Sequence, residues 1–241
     1  MTIEAKDRLI VALDLETVAD AERLVETLGE AVSFYKVGLV MQLAEGTDAF
    51  VRRLIAQGKR VFLDYKYYDV PETLRKAVSR AAGIGVAFLT IHGSGTLIRA
   101  AVAAKGASDL KLFTVTVLTA MDQGDIREMG YSEHDVGELV AFRARKALEA
   151  GCDGVIASGR EAETIKALSG GKLLVITPGI RPDGYPEDDQ KRRTTAAMAI
   201  EAGADYLVVG RPITDAADPR GAAEGFLAEM QAAFESRANR A

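Results

Sequence analysis

Eight short apolar runs, spread along the whole chain, limit what this sequence can fold into more than any other feature. They lie at 8–14 (RLIVALD), 32–38 (VSFYKVG), 60–66 (RVFLDYK), 85–93 (GVAFLTIHG), 110–119 (LKLFTVTVLT), 153–158 (DGVIAS), 172–179 (KLLVITPG) and 204–211 (ADYLVVGR). Several are near-continuous in Val, Ile, Leu and Phe, as strands covered on both faces are. Between them the pattern turns helical, at 17–28, 46–57, 72–82, 94–105, 134–150, 160–168, 191–202 and 221–238. Thr17 is a suitable N-cap for a stripe at Val18, Ala21, Leu24, Val25 and Leu28. Pro71 suits a helix start, and Gly58 a helix stop. The long gap between the fifth and sixth runs leaves room for an extra turn or short helix. His134 reads as a solvated helix residue.

Eight strands alternating with eight helices close most naturally as a (β/α)8 TIM barrel. The rival is an open doubly wound sheet, but its Gly-x-Gly-x-x-Gly after the first strand is missing. That strand ends instead in Asp14. No linker or shift of composition divides the 241 residues, so one barrel domain over 1–241 is expected. The segment PGIRPDGYPEDDQ at 178–190 differs in texture, with three prolines, two glycines and four acids. It reads as a loop between strands seven and eight, long enough to be functional.

Composition excludes several function classes. With 48% hydrophobic and 27% charged residues, the chain is no disordered polyelectrolyte. Thirty basic against 35 acidic residues give a net charge of −5, so a basic nucleic-acid surface is not expected. The single cysteine, Cys152, cannot form an internal disulfide and reads as a small buried residue. No signal-like N-terminus and no run of 18 apolar residues is present, so a cytoplasmic protein without a membrane span is expected.

In such a barrel the chemistry belongs at the C-terminal strand ends. Those ends carry Asp14, Lys36, Asp64 with Lys66 and Asp69, His92, Thr119, Ser158, Arg181 and Arg211. In DYKYYD at 64–69, an extended backbone puts Asp64 and Lys66 on one side, with Asp69 in the following loop. With Lys36 arriving from the neighbouring strand, carboxylates and ammonium groups can alternate and hold each other charged. A carboxylate set beside a substrate carboxylate destabilises the ground state. A lysine beside it stabilises negative charge on carbon and delivers a proton. The other reading is a rim salt-bridge network.

TPGIR at 177–181 and VGRP at 209–212 fit a phosphate site built from the last two strand loops. Gly179 and Gly210 permit close backbone approach, Arg211 offers a bidentate fork, and Gln190 adds an amide donor. Two histidines and one cysteine have no zinc-type spacing. Lys36 and Lys66 already neutralise the aspartates that might otherwise hold Mg²⁺.

IVALD (10–14), FYKVG (34–38), VFLDYKYYDVPET (61–73), TVLTAM (116–121), ITPGIRPDG (176–184), DQKR (189–192) and ADYLVVGRPIT (204–214) together resemble the orotidine 5'-phosphate decarboxylase family. The resemblance covers essentially the whole chain. It implies a homodimeric barrel that converts orotidine 5'-phosphate to UMP and CO₂ with neither metal nor organic cofactor. It implies Lys66 as proton donor to C6, Asp64 as the carboxylate against the substrate carboxylate, and Lys36 as its charged neighbour. Asp69 would reach across the dimer into the partner's site, with Thr73 near the ribose. Asp14 would bind a ribose hydroxyl and Thr119 would lie in the segment meeting the pyrimidine. Arg181, Gln190, Gly210 and Arg211 would serve the phosphate, with 182–190 as a closing loop. The chain departs from the family's usual His, Asn and Ser with Tyr68, Glu72 and Ala120. Two other functions share these residues: a metal-dependent keto-sugar-phosphate decarboxylase, and a nucleotide-binding barrel without turnover.

Overall fold

The computed structural model describes residues 4–131 and 135–240. His134, expected on a helix, lies outside the described residues. Each apolar run contains one strand, and each is followed by helix. The order is β1 (Leu9–Ala12), α1 (Val18–Leu28), β2 (Phe34–Gly38), α2 (Leu39–Gln42), α3 (Thr47–Ala56), β3 (Arg60–Tyr67), α4 (Pro71–Ile84), β4 (Phe88–Ile91), α5 (Gly95–Lys105) and β5 (Lys111–Val115). Then follow α6 (Gln123–Glu128), α7 (Val136–Glu149), β6 (Gly154–Ile156), α8 (Ala162–Ser169), β7 (Leu174–Thr177), α9 (Ala196–Glu201), β8 (Tyr206–Val209), α10 (Arg211–Thr214) and α11 (Pro219–Arg240). All eight strands are parallel, and β8 pairs back onto β1, closing the barrel. The (β/α)8 barrel expected from the spacing is therefore the fold.

Local chemistry sets several boundaries. The Thr17 side chain accepts from the Asp20 amide and caps α1. Pro71 opens α4. The roomy interval after β5 holds α6, which a reciprocal Asp122–Asp125 capping box starts. The helix expected over 191–202 is shorter, starting only at Ala196. Residues before it are held by tertiary contacts instead, among them a bridge between Ile180 and Thr194 and an Arg181 N–H donating to the Thr194 carbonyl. Cys152 is buried, as read from its surroundings, and burial pushes its thiol up to about 12. No helix among the described residues is long and apolar enough to cross a membrane.

The barrel interior explains where polar residues can gather. Phe34, Phe62, Phe88, Phe113 and Tyr206 fill its lower part with Ile10, Ile176 and Val208. Phe34 and Phe88 stack edge-on, with centroids 4.9 Å apart. The Arg60 guanidinium lies 4.2 Å from the Phe34 centroid and 5.3 Å from that of Phe88. Cations over ring faces thus plug the N-terminal end of the barrel. Side chains two positions further along three strands point to the same interior, but nearer the C-terminal end. They are Lys36 after Phe34, Asp64 after Phe62 and Thr90 after Phe88.

Candidate active site

A cavity of ≈ 780 Å³ opens at the C-terminal end of the barrel. Phe62, Val117, Ile156 and Val208 supply apolar wall, and Asp14, Lys36, Asp64, Lys66, Thr119, Arg181, Gln190, Gly210 and Arg211 supply the polar groups. Nine of the eleven residues expected at the site therefore meet in one place.

The charges on β1–β3 form a continuous chain. Lys36 Nζ donates to Asp14 Oδ1 at 2.9 Å and lies 3.6 Å from Asp64 Oδ2. Lys66 Nζ donates to Asp64 Oδ1 at 2.9 Å. Lys36 is buried and Asp64 nearly so, which strengthens each interaction. Burial pushes the Asp64 carboxyl up. The charges of Lys36 and Lys66, with hydrogen bonds from Lys66 and Thr90, outweigh that and hold it below 3.8. Gly38 keeps the chain intact, because a Cβ there would stand 2.6 Å from Asp14 Oδ1 and 2.8 Å from Lys36 Nζ.

Lys66 does not reach the site by simple strand alternation. The β3–β4 register shifts between Leu63 and Tyr67, and Lys66 adopts φ +48°, the one positive φ outside glycine among the described residues. A left-handed lysine costs about 1–2 kcal/mol. Thr90 on β4 holds the kink in place. Its hydroxyl accepts from the Lys66 N–H at 2.9 Å and donates to Asp64 Oδ1 at 2.9 Å. Sequence reading missed Thr90, although it is a lone polar residue in the apolar run FLTI.

Across the barrel from β3, the β7 loop supplies a second polar group. Thr119 Oγ1 donates to Gln190 Oε1 at 2.5 Å, which turns the Gln190 amide nitrogen away from Thr119 and toward Asp189 Oδ2, 3.5 Å away. Gly179 has φ +74° at this contact, and a Cβ there would approach Gln190 Oε1 to 3.0 Å. Arg181, expected as a phosphate ligand, spends its donors inside the loop. Nε and Nη2 donate to Asp188 at 2.8 and 2.6 Å, and Nη1 donates to the Ile180 carbonyl at 2.8 Å. It lines the cavity while bracing 182–190. Arg211 pairs with Asp189 and lies 3.4 Å from Asp188. These two loop aspartates, also missed from sequence, occupy the guanidinium where an incoming anion would bind.

Four of the strand-end and loop residues lie elsewhere. Asp69 accepts from its own Val70 amide at 2.6 Å and is exposed. Thr73 lies on a shallow outer groove along α4 and α5, so one chain brings neither residue to the cavity. Ser158 is buried and donates to the Arg192 carbonyl at 2.9 Å. His92 packs edge-on against Tyr68, centroids 5.7 Å apart, and burial, with Arg143 and Lys66, keeps its pKa low. Of the three departures, Ala120 lines the cavity, whereas Glu72 faces the outer groove, 3.6 Å from Arg75 and 3.5 Å from Lys76.

The chain is similar to known proteins over nearly its whole length. The profile of the Orotidine 5'-phosphate decarboxylase / HUMPS family matches residues 7–226. Orotidine 5'-phosphate decarboxylase of Nitrobacter winogradskyi is 54% identical over 226 residues, covering 94% of this chain and 93% of the relative. That of Methylococcus capsulatus is 50% identical, covering 96% and 95%. The crystal structure of orotidine 5'-phosphate decarboxylase from Lactobacillus acidophilus superposes with TM-score 0.80 at 34% identity, covering 92% of this chain and 98% of that one. Since half of the residues coincide over nearly the full length of two relatives and the barrel itself superposes, the chain belongs to the orotidine 5'-phosphate decarboxylase / HUMPS family.

Proposed function

We propose that this chain is a carboxy-lyase that converts orotidine 5'-phosphate to UMP and CO₂, a step of pyrimidine nucleotide biosynthesis. The alternating chain Asp14–Lys36–Asp64–Lys66 in the cavity wall carries the reading. A substrate carboxylate on C6 sits against Asp64, which its two lysines keep ionised. Repulsion between the carboxylates raises the ground state, and departure of CO₂ relieves it. The C6–carboxylate bond breaks, and its electron pair stays on C6. Lys66 stabilises that charge and delivers an Nζ proton to C6; solvent then reprotonates the amine. Lys36 holds Asp64 and meets the ribose side together with Asp14. Arg211, the Gln190 amide and the backbone at Gly210 take the phosphate, while Thr119 borders the pyrimidine. No step requires a metal or an organic cofactor.

Ultraviolet monitoring of orotidine 5'-phosphate, with and without chelator, tests the reading. Turnover is expected at equal rates in both. A native protein that binds UMP but leaves the substrate unconsumed would overturn it, and loss of turnover with chelator would favour a metal-dependent relative.

The working unit is a homodimer with composite sites. Tyr68, Asp69 and Val70 protrude after β3, and Leu39, Val40 and Leu43 after the adjacent β2 are exposed, Leu43 by 94%. Apolar side chains exposed just after neighbouring strands favour a self-complementary contact that carries Asp69 and Thr73 to the partner's cavity. Inactive K66A and D69A proteins should then complement each other. A mixed dimer puts both defects in one site and leaves the other whole. With random exchange in an equal mixture, about a quarter of native activity is expected. Subunit exchange demonstrated by mass spectrometry without any recovery would rule out the composite site.

A further inference from the structure

We propose that Arg192 is a positioning residue for the reaction, locking the loops after β5, β6 and β7 in one register so that Thr119 and Gln190 meet the substrate as a unit. The inference rests on the decarboxylase reading above. Arg192 never touches the cavity, yet it is a buried arginine with almost every donor committed. Nε donates to the Met121 carbonyl at 3.0 Å. Nη2 donates to the carbonyls of Val117 and Leu118 at 2.9 and 3.1 Å. Nη1 donates to Glu161 Oε1, after β6, at 2.8 Å. The Arg192 backbone adds two further ties. Its N–H donates to the Thr119 carbonyl at 3.0 Å, and its carbonyl accepts from Ser158 Oγ at 2.9 Å.

Three loops thus converge on one side chain two residues beyond Gln190. The segment 117–121 has no regular structure of its own, and the Arg192 side chain donates to its Val117 and Met121 carbonyls, while the Leu118 carbonyl also accepts from the Met121 N–H at 2.9 Å. A planar fork with five N–H groups reaches carbonyls in two directions, and a lysine ammonium cannot span them. The contact that benefits is the 2.5 Å bond from Thr119 to Gln190, which joins the pyrimidine-side loop to the phosphate-side loop.

A double-mutant cycle on T119V and Q190A, repeated in an R192K background, reads this coupling. Both kcat/KM for orotidine 5'-phosphate and Kd for UMP serve as readouts. In the native background the double variant should lose less than the product of the single losses, by about fivefold or more, as contacting residues do. R192K should fold, lose kcat/KM by about 10²-fold through misplacement of both groups, and bring the cycle to within about twofold of additivity. A merely structural arginine would lower Tm and leave the coupling intact. Coupling that survives in folded R192K overturns the proposal. Should R192K fail to fold, E161Q weakens the same anchor at constant shape, and unchanged coupling there overturns it equally. The functional reading fails on a different result, namely native protein that does not turn over orotidine 5'-phosphate.

Discussion

The Lys66→Ala protein should keep its barrel and lose turnover by about 10⁴-fold or more, because one change removes both the proton donor and the nearest stabilising charge. Retention of near-native kcat, read in the ultraviolet assay, would sink the assignment. The fold should survive for local reasons. Lys66 is the last residue but one of β3, and its amine is partly exposed. Asp64 keeps Lys36 at 3.6 Å and the Thr90 hydroxyl at 2.9 Å. Stability should nevertheless fall near neutral pH and become less dependent on acid. A carboxyl whose folded pKa is depressed contributes stability that is complete above its unfolded pKa and is lost as pH falls through the folded one. In the native protein that loss begins below the ordinary carboxylate value, since Asp64 lies under 3.8. Without Lys66 the folded value moves back toward the unfolded one, so less stability remains above pH 4. Urea melts of native and K66A proteins at several pH values between 3 and 7 check the sign. A gap that widens toward neutral pH is expected, and an identical pH profile would mean that Lys66 does not hold Asp64 ionised.

Arg211→Ala should cost about 2–5 kcal/mol of transition-state binding, or roughly 30- to several-thousand-fold in kcat/KM. The phosphate and C6 lie at opposite ends of the nucleotide, so Arg211 cannot touch the chemistry. In the proposed reading its contribution comes through closure of 182–190, which would exclude water and strengthen the charges around Lys66. The phosphate must first displace Asp189 from the guanidinium. Orotidine, lacking the phosphate, should be a very poor substrate for the native protein and should suffer little further from R211A. Measuring kcat/KM for both substrates on both proteins completes the cycle. Equal losses would mean that Arg211 supports the loop in general, and the phosphate assignment would fail.

The barrel was legible because each buried strand is read on both faces, leaving eight apolar runs that few other folds need. The polar site was legible because strand ends in a barrel share one mouth, so Asp14, Lys36, Asp64 and Arg211 could be grouped before any distance was known. Thr90 was missed although a signal existed: FYK, FLD and FLT each place a polar residue two positions after an interior Phe. Arg192 was hidden differently. Its neighbourhood has helical periodicity, and nothing local tells that its donors are used by loops some 30 and 70 residues away, as the separations to Glu161 and Met121 require. The pairing of Arg181 with Asp188 escaped for a related reason, since a loop's own charges can satisfy an arginine that sequence alone assigns to a ligand. Asp69 and Thr73 concern a surface that a single chain leaves open.

The cation-capped aromatic floor, with Arg60 over Phe34 and Phe88, makes the barrel a vessel with one mouth. Substrate and both products share that passage, so traffic through it has an order. Carbon dioxide is small and held by no charge, and it leaves first. With its phosphate held as proposed, the nucleotide departs last. UMP would then compete with orotidine 5'-phosphate for the same free protein.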